Sequence, residues 1–192
     1  MNLTIIFREK RACLNIFVTL IFATLFLSSC SVFKFAKYYA SADDNEDGKL
    51  KGRVYQSEYT SYEIGELSER WEKIKVGGGD VAFLNENIGA TITVDSTCNK
   101  KGKYSLKALS ESLLIGIEDK KLIQRNELTL SGENALSSIY TGKLDGVPLK
   151  INAIVFKKGN CIYDFTYTSS PDNFSNGFGD FHEFISNFEV KK

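Results

Sequence analysis

Ala135–Phe156, ALSSIYTGKLDGVPLKINAIVF, reads as two strands joined by a tight turn. Ala135–Leu144 runs to Asp145-Gly146, a dipeptide that tolerates positive φ at both positions and signals a type I′ hairpin. In the second arm Val147, Leu149, Ile151, Ala153 and Val155 alternate with Lys150 and Asn152, so one face is buried. Ile154 and Phe156 fall on the opposite face, which predicts that this side is partly covered too.

The same grammar extends in both directions. Ile123–Leu130 ends at Ser131-Gly132-Glu133-Asn134 and supplies the preceding strand. Lys157-Lys158-Gly159-Asn160 turns the chain into Cys161–Thr168, where Cys161, Tyr163, Phe165 and Tyr167 share a face. Upstream, Trp71–Val76 and Asp80–Leu84 flank a turn at Gly77-Gly78-Gly79, and Gly89–Thr97 forms a strand ending at Cys98. Over Ser105–Ile117 the period changes, with Leu106, Leu109, Leu113, Leu114 and Ile117 on one helical face. Ser105 is its expected N-cap and Gly116 lies near its end. After Pro171 a second helix is expected, with Asp180 as N-cap and Phe181, Phe184, Ile185 and Phe188 at helical spacing. Burying such side chains contributes roughly 1.5–3 kcal/mol each, so this helix must pack on the sheet. The reading is α+β: an antiparallel β-sheet flanked by helices in a layered sandwich.

The N-terminus carries a different signal. Arg8, Lys10 and Arg11 precede a nearly uncharged run, Ala12–Leu27, that ends at Leu27-Ser28-Ser29-Cys30. This resembles a bacterial lipobox. By that resemblance, residues 1–29 are a lipoprotein signal peptide, and Cys30 is acylated on sulfur and nitrogen and becomes the mature N-terminus. The alternative is an uncleaved signal-anchor helix, since extension through Val32 and Phe33 lengthens the run toward the roughly 20 residues of a membrane span. Ser31–Tyr39, basic and aromatic, suits the headgroup zone, and Ala40–Gly52 reads as a solvated tether. Residues 30–52 are thus the lipidated N-terminus and tether, and residues 53–192 a single domain. Ser31 after the lipidated cysteine favours the outer over the inner membrane under the enteric sorting rule, with the domain facing the periplasm.

Loss of the leader removes three of the 24 bases and one of the 24 acids, leaving a slightly negative mature chain. No basic field exists to hold phosphate backbones, which disfavours nucleic-acid binding. Of the four cysteines, Cys13 leaves with the leader and Cys30 carries lipid. Cys98 and Cys161 remain, an even pair in an oxidising compartment, each at the edge of a strand. A bond between them closes a loop of roughly 60 residues; the alternative is two buried free thiols.

The order of elements resembles the Mog1/PsbP/DcrB-like α/β/α sandwich and small bacterial lipoproteins of that fold. The phrases that carry this resemblance are Tyr62-Glu63-Ile64-Gly65-Glu66-Leu67 followed by Trp71, Gly79-Asp80-Val81-Ala82-Phe83, Gly89-Ala90-Thr91-Ile92, Leu113-Leu114, Thr141-Gly142-Lys143-Leu144-Asp145-Gly146 and Phe184-Ile185-Ser186-Asn187-Phe188. It spans about Gly52–Val190 and includes no catalytic motif. It implies an accessory or binding protein without a cofactor.

Other constellations are weak. Asp43-Asp44-Asn45-Glu46-Asp47-Gly48 matches the first half of a calcium loop, but position twelve is Val54 where a bidentate glutamate is required. Lys49, Lys51 and Arg53 crowd the same stretch, so a solvated linker is the expectation. His182 is the single histidine, placed on the aromatic helix with no marked nucleophile beside it, and is expected at the surface. Gly77-Gly78-Gly79 lacks the lysine and helix of a phosphate loop. Phe174, Phe178, Phe181, Phe184 and Phe188 with Tyr163, Phe165 and Tyr167 are expected in the core; the alternative is a lining for an apolar groove. The sequence thus points to a membrane-anchored, non-enzymatic binding or accessory protein with an envelope protein partner, and secondarily to a carrier of a small apolar ligand or lipid. No catalytic, metal or cofactor residue is assigned.

Overall fold

The computed structural model describes residues 48–75, 79–99 and 103–191. The leader, Cys30, most of the tether and Gly77-Gly78 lie outside the described residues. Three short strands open the fold: β1 (Gly48–Lys51), β2 (Val54–Ser57) and β3 (Ser61–Glu63). Next come β4 (Glu72–Ile74), β5 (Val81–Asn85), β6 (Ala90–Cys98) and helix α1 (Leu106–Ser112). Four long strands follow: β7 (Glu118–Leu130), β8 (Glu133–Leu144), β9 (Val147–Lys158) and β10 (Cys161–Ser169). Helix α2 (Phe174–Ser186) and a short β11 (Glu189–Val190) close the chain.

The strands form two antiparallel sheets, a seven-stranded one in the order β4-β5-β6-β10-β9-β8-β7 and a four-stranded one in the order β1-β2-β3-β11. After β6, α1 carries the chain to the far edge at β7, and three hairpins then bring it back so that β10 pairs with β6. The turns have the predicted chemistry: Asp145 and Gly146 have φ of 51° and 79°, and Ser131 and Gly132 repeat the pattern at 49° and 82°.

Strand β9 confirms that both of its faces are covered, since Ala153, Ile154, Val155 and Phe156 are all fully buried. On one face Leu106, Leu109 and Leu113 of the α1 segment pack over Leu136, Val155 and Ile162. On the other, α2 and the small sheet share one core with Ile92, Val94, Ile154, Phe156, Phe165 and Tyr167. Phe188 sits at its centre, with ring centroids 5.0 Å from Tyr62, 4.8 Å from Phe165, 5.9 Å from Phe156 and 5.8 Å from Tyr163.

Three expectations are corrected. The fold reaches back to Gly48, because Gly48–Lys51, the end of the expected tether, pairs with β2. Helix α1 starts as expected, with Ser105 accepting from the Ala108 amide at 3.1 Å, but it stops at Ser112. Gly116 then turns the chain at φ 86°, so Ile117 leads into β7 at Glu118 instead of extending the helix. Asp180 is not an N-cap: α2 begins at Phe174, where the Asn173 amide is held by the Ser170 hydroxyl at 3.3 Å. Asp180 lies mid-helix and accepts from the Trp71 indole at 2.8 Å, pinning the segment before β4 to α2.

Candidate functional site

Cys98 ends β6 and Cys161 begins β10, and the two stand directly opposite in the ladder with their Cα atoms 4.0 Å apart. They are joined by a disulfide. The Asn99 amide donates to the Asn160 carbonyl at 3.0 Å, so the two chain ends are held just past the bond as well.

An open cleft of about 590 Å³ lies beside this staple, between the β2–β3 turn, the β9–β10 turn and the C-terminal strand. The β2–β3 turn is rigidly built. Ser57 Oγ accepts from the Thr60 amide at 3.2 Å and from the Tyr59 amide at 3.3 Å, and the Ser57 amide donates to the Thr60 carbonyl at 2.9 Å. Thr60 Oγ1 and the Tyr163 hydroxyl are 2.7 Å apart in a hydrogen bond that ties the turn to the large sheet. Cys98 Sγ lies 3.9 Å from the Tyr59 carbonyl. This scaffold leaves the Tyr59 side chain 59% exposed at the rim.

The charges around the cleft are largely engaged. Lys158 Nζ donates to the Ser131 carbonyl at 2.6 Å and to its hydroxyl at 3.0 Å. Lys191 Nζ bridges Glu63 and Glu189, each at 2.8 Å, and these bonds lower the Glu63 carboxyl and raise the Lys191 ammonium from their ordinary values. What remains is the exposed Glu58 carboxylate and a rim of hydroxyls, amides, main chain and one aromatic ring. Such a surface hydrogen-bonds and stacks; it carries no polarised nucleophile.

A second polar cluster joins the two sheets. Asp80 Oδ2 accepts from the Tyr62 hydroxyl at 2.8 Å and from Ser96 Oγ at 2.5 Å. Burial raises the Asp80 carboxyl above its ordinary value, against hydrogen bonds from Ser96, Tyr55 and Tyr62 that favour its charged form. The Tyr62 hydroxyl is pushed well above the usual phenol range, first by burial and then by the Asp80 charge. The cluster is a clamp within the core, and in the sequence Asp80 reads only as the first residue of the strand segment Asp80–Leu84.

The remaining sequence candidates fall in separate places. His182 is exposed on α2 with its ring 4.5 Å from that of Phe178, and partial burial lowers its pKa. Phe174, Phe181, Phe184, Phe188, Tyr163, Phe165 and Tyr167 are buried and Phe178 is half-buried; they pack on one another instead of lining an apolar groove. Asp43–Asp47 lie outside the described residues, while Leu50 and Val54 stand on the paired strands β1 and β2. Among the described residues, no group of three or more His, Cys, Asp and Glu side chains is placed to hold a metal, and no helix is long and apolar enough to cross a membrane. Sequence reasoning missed Tyr59 and the rim of the cleft, because a Ser-x-x-Thr turn between short strands has no periodic signal.

No family model matches the sequence, and no curated protein is similar to it in sequence. Solved structures are similar in fold. LpqN of Mycobacterium tuberculosis, involved in cell envelope biogenesis, matches at 10% identity and TM-score 0.52, covering 69% of this chain and 86% of its own. The Ran-binding protein Mog1p of Saccharomyces cerevisiae matches at 12% identity and TM-score 0.50, covering 76% of this chain and 96% of its own. PsbP of the cyanobacterium Synechocystis matches at 14% identity and TM-score 0.49, covering 78% and 90%. Identities this low speak to the fold alone. The chain has the fold of Mog1p and LpqN, an antiparallel sheet flanked by helices.

Proposed function

We propose that this chain is a lipid-anchored, non-enzymatic binding protein of the bacterial envelope, held to the membrane through Cys30 and docking a protein partner at the cleft beside Cys98–Cys161. The observation that carries the docking reading is the β2–β3 turn: its backbone is fixed by Ser57 and Thr60 while Tyr59 is presented to solvent. A rigid turn presenting an exposed aromatic side chain beside an open cleft is the make-up of a protein-recognition surface. The attachment reading is supported by the lipobox-like Leu27-Ser28-Ser29-Cys30, and its outer-membrane address by Ser31. The envelope role is in keeping with LpqN, which shares the fold.

The test is site-specific photo-crosslinking of the full chain in its native membranes. A photoreactive residue at Tyr59 or Asn160 should capture the same envelope protein, while one at Asp145, on the β8–β9 turn, should not. Identical products from all three positions would remove the cleft from consideration. Separately, Cys30→Ala or globomycin should block maturation and release the chain from the membrane; normal processing in both would refute the lipid anchor.

A further inference from the structure

Strands β6 and β9 finish, and β10 begins, at one end of the large sheet, where Cys98 and Lys158 both stand opposite Cys161. Four lysines gather at this end. Lys157 and Lys158 close β9, while Lys103 and Lys107 flank the start of α1. A hydrogen bond from Lys157 Nζ to the Tyr104 carbonyl ties the two segments together, so the lysines form one group. Lys158 Nζ is held by the Ser131 carbonyl and hydroxyl, and the residue also lines the cleft. These partners are neutral, so the ammonium charges stay uncompensated. Among the described residues, none of the four lysines is ion-paired with a carboxylate.

The chain as a whole has 24 bases and 24 acids, so the fold, not the composition, makes this local excess. Like charges gathered without acids repel one another. Lys107 also stands in the first turn of α1, where a cation opposes the helix dipole and no acidic residue offsets it. An anionic surface outside the molecule relieves both costs. Tyr104, 44% exposed, sits between Lys103 and Lys107 in the chain. A ring among lysines suits the headgroup zone of a bilayer. The acids nearest this end, Glu58 and Glu133, stand on the β2–β3 turn and at the start of β8. Loops at the opposite end carry exposed Glu86, Asp145 and Asp172, so an anionic surface draws one end and repels the other. The chain also enters the fold at the lysine end, because Gly48 pairs with Ser57 at the rim of the cleft.

We infer that this end of the fold lies against the bilayer, with Lys103, Lys107, Lys157 and Lys158 on anionic lipid headgroups and Tyr104 in the headgroup zone. The bilayer is the one to which Cys30 is proposed to be attached, so this placement rests on the lipid-anchor reading. The cleft opens at the same end, and a protein docking there meets it at the membrane surface.

The test uses full-length chain purified from membranes, with a photoreactive residue at Tyr104 or at Asp172. Each is reconstituted in phosphatidylcholine vesicles with and without phosphatidylglycerol. Expected is capture of lipid at Tyr104, about fivefold or more above that at Asp172, and only with phosphatidylglycerol present. K103E and K107E together, both at exposed positions, should reduce capture at Tyr104 to the level in phosphatidylcholine alone; Trp71 fluorescence checks that the variant is folded. High salt should act in the same direction. Equal capture at the two positions or in the two vesicle types, or capture unchanged by K103E and K107E, would overturn the placement. So would capture of a protein in place of lipid at Tyr104 in native membranes. A chain whose maturation is blocked by Cys30→Ala but which captures no lipid at Tyr104 keeps its anchor and loses this orientation. If Cys30→Ala matures normally the anchor falls, and the comparison of Tyr104 with Asp172 still decides the lysine end.

Discussion

Replacing both Cys98 and Cys161 by Ala should destabilise the protein by about 4 kcal/mol, acting through the unfolded chain. The bond spans a sequence separation of 63 residues, and in the chain-entropy view its contribution grows with the logarithm of that length. The native state loses little. The β6–β10 ladder runs from Cys161↔Cys98 to Thr168↔Thr91 and keeps its hydrogen bonds, and the Asn99–Asn160 bond still closes its end. Set against total stabilities of about 5–15 kcal/mol for a domain, the loss is large. Trp71 is the single tryptophan and is buried under α2, so its fluorescence follows unfolding without an added label. In guanidinium titrations the double variant should unfold at a lower midpoint. Its m-value should also rise, because an unlinked chain exposes more surface. Treating the unsubstituted protein with reductant should reproduce both changes. A loss below about 1 kcal/mol with an unchanged m-value would refute the reasoning, because loop-closure entropy would then not be the source of the stabilisation.

Three further perturbations follow from the core. The folded-state pKa of Asp80 is raised, so the native state binds a proton more readily than the unfolded chain; stability should fall as pH rises from the ordinary carboxyl value near 3.8 through the raised one. Asp80→Asn should flatten that dependence, and urea midpoints that fall with rising pH as steeply in the variant as in the parent would contradict it. Phe188→Ala empties the position where four other rings meet and should lower stability by about 3–5 kcal/mol in thermal or denaturant unfolding. Gly65→Ala should destabilise by about 1–3 kcal/mol or more: a Cβ there would lie 2.2 Å from the main-chain oxygen of Phe184, and α2 would have to move. A melting temperature matching the parent would mean the Gly65–α2 approach is looser than described.

What could be read from the sequence is what repeats. The alternation through Val147–Phe156 and the Asp145-Gly146 turn gave β8 and β9, because a period of two over many residues is a strong pattern. The Cys98–Cys161 pairing was legible for the same reason: one residue ends a recognisable strand and the other begins one. The small sheet was not, since strands of two to four residues are too short for alternation to register and exist only because Tyr55 and Tyr62 pack on the large sheet. The start of α2 was hidden by Gly177 and Gly179, poor helix formers. Gly177 is there for packing, as a Cβ would come within 2.8 Å of Ile88 and 2.9 Å of the Tyr167 hydroxyl. The Tyr62–Asp80 and Tyr163–Thr60 bonds link residues with no local relation, so no spacing announces them.

The position of β10 between β9 and β6 has a kinetic meaning. Every other neighbouring pair in the large sheet joins consecutive strands, so each can form as a local hairpin on short loop closure. The β6–β10 pairing alone spans α1 and β7–β9, so it carries the largest loop-closure cost of any pair in this sheet and is the point at which its two halves meet. Oxidation of Cys98 and Cys161 happens on that seam, so the covalent bond records that the non-local step has been completed and keeps the halves from separating again.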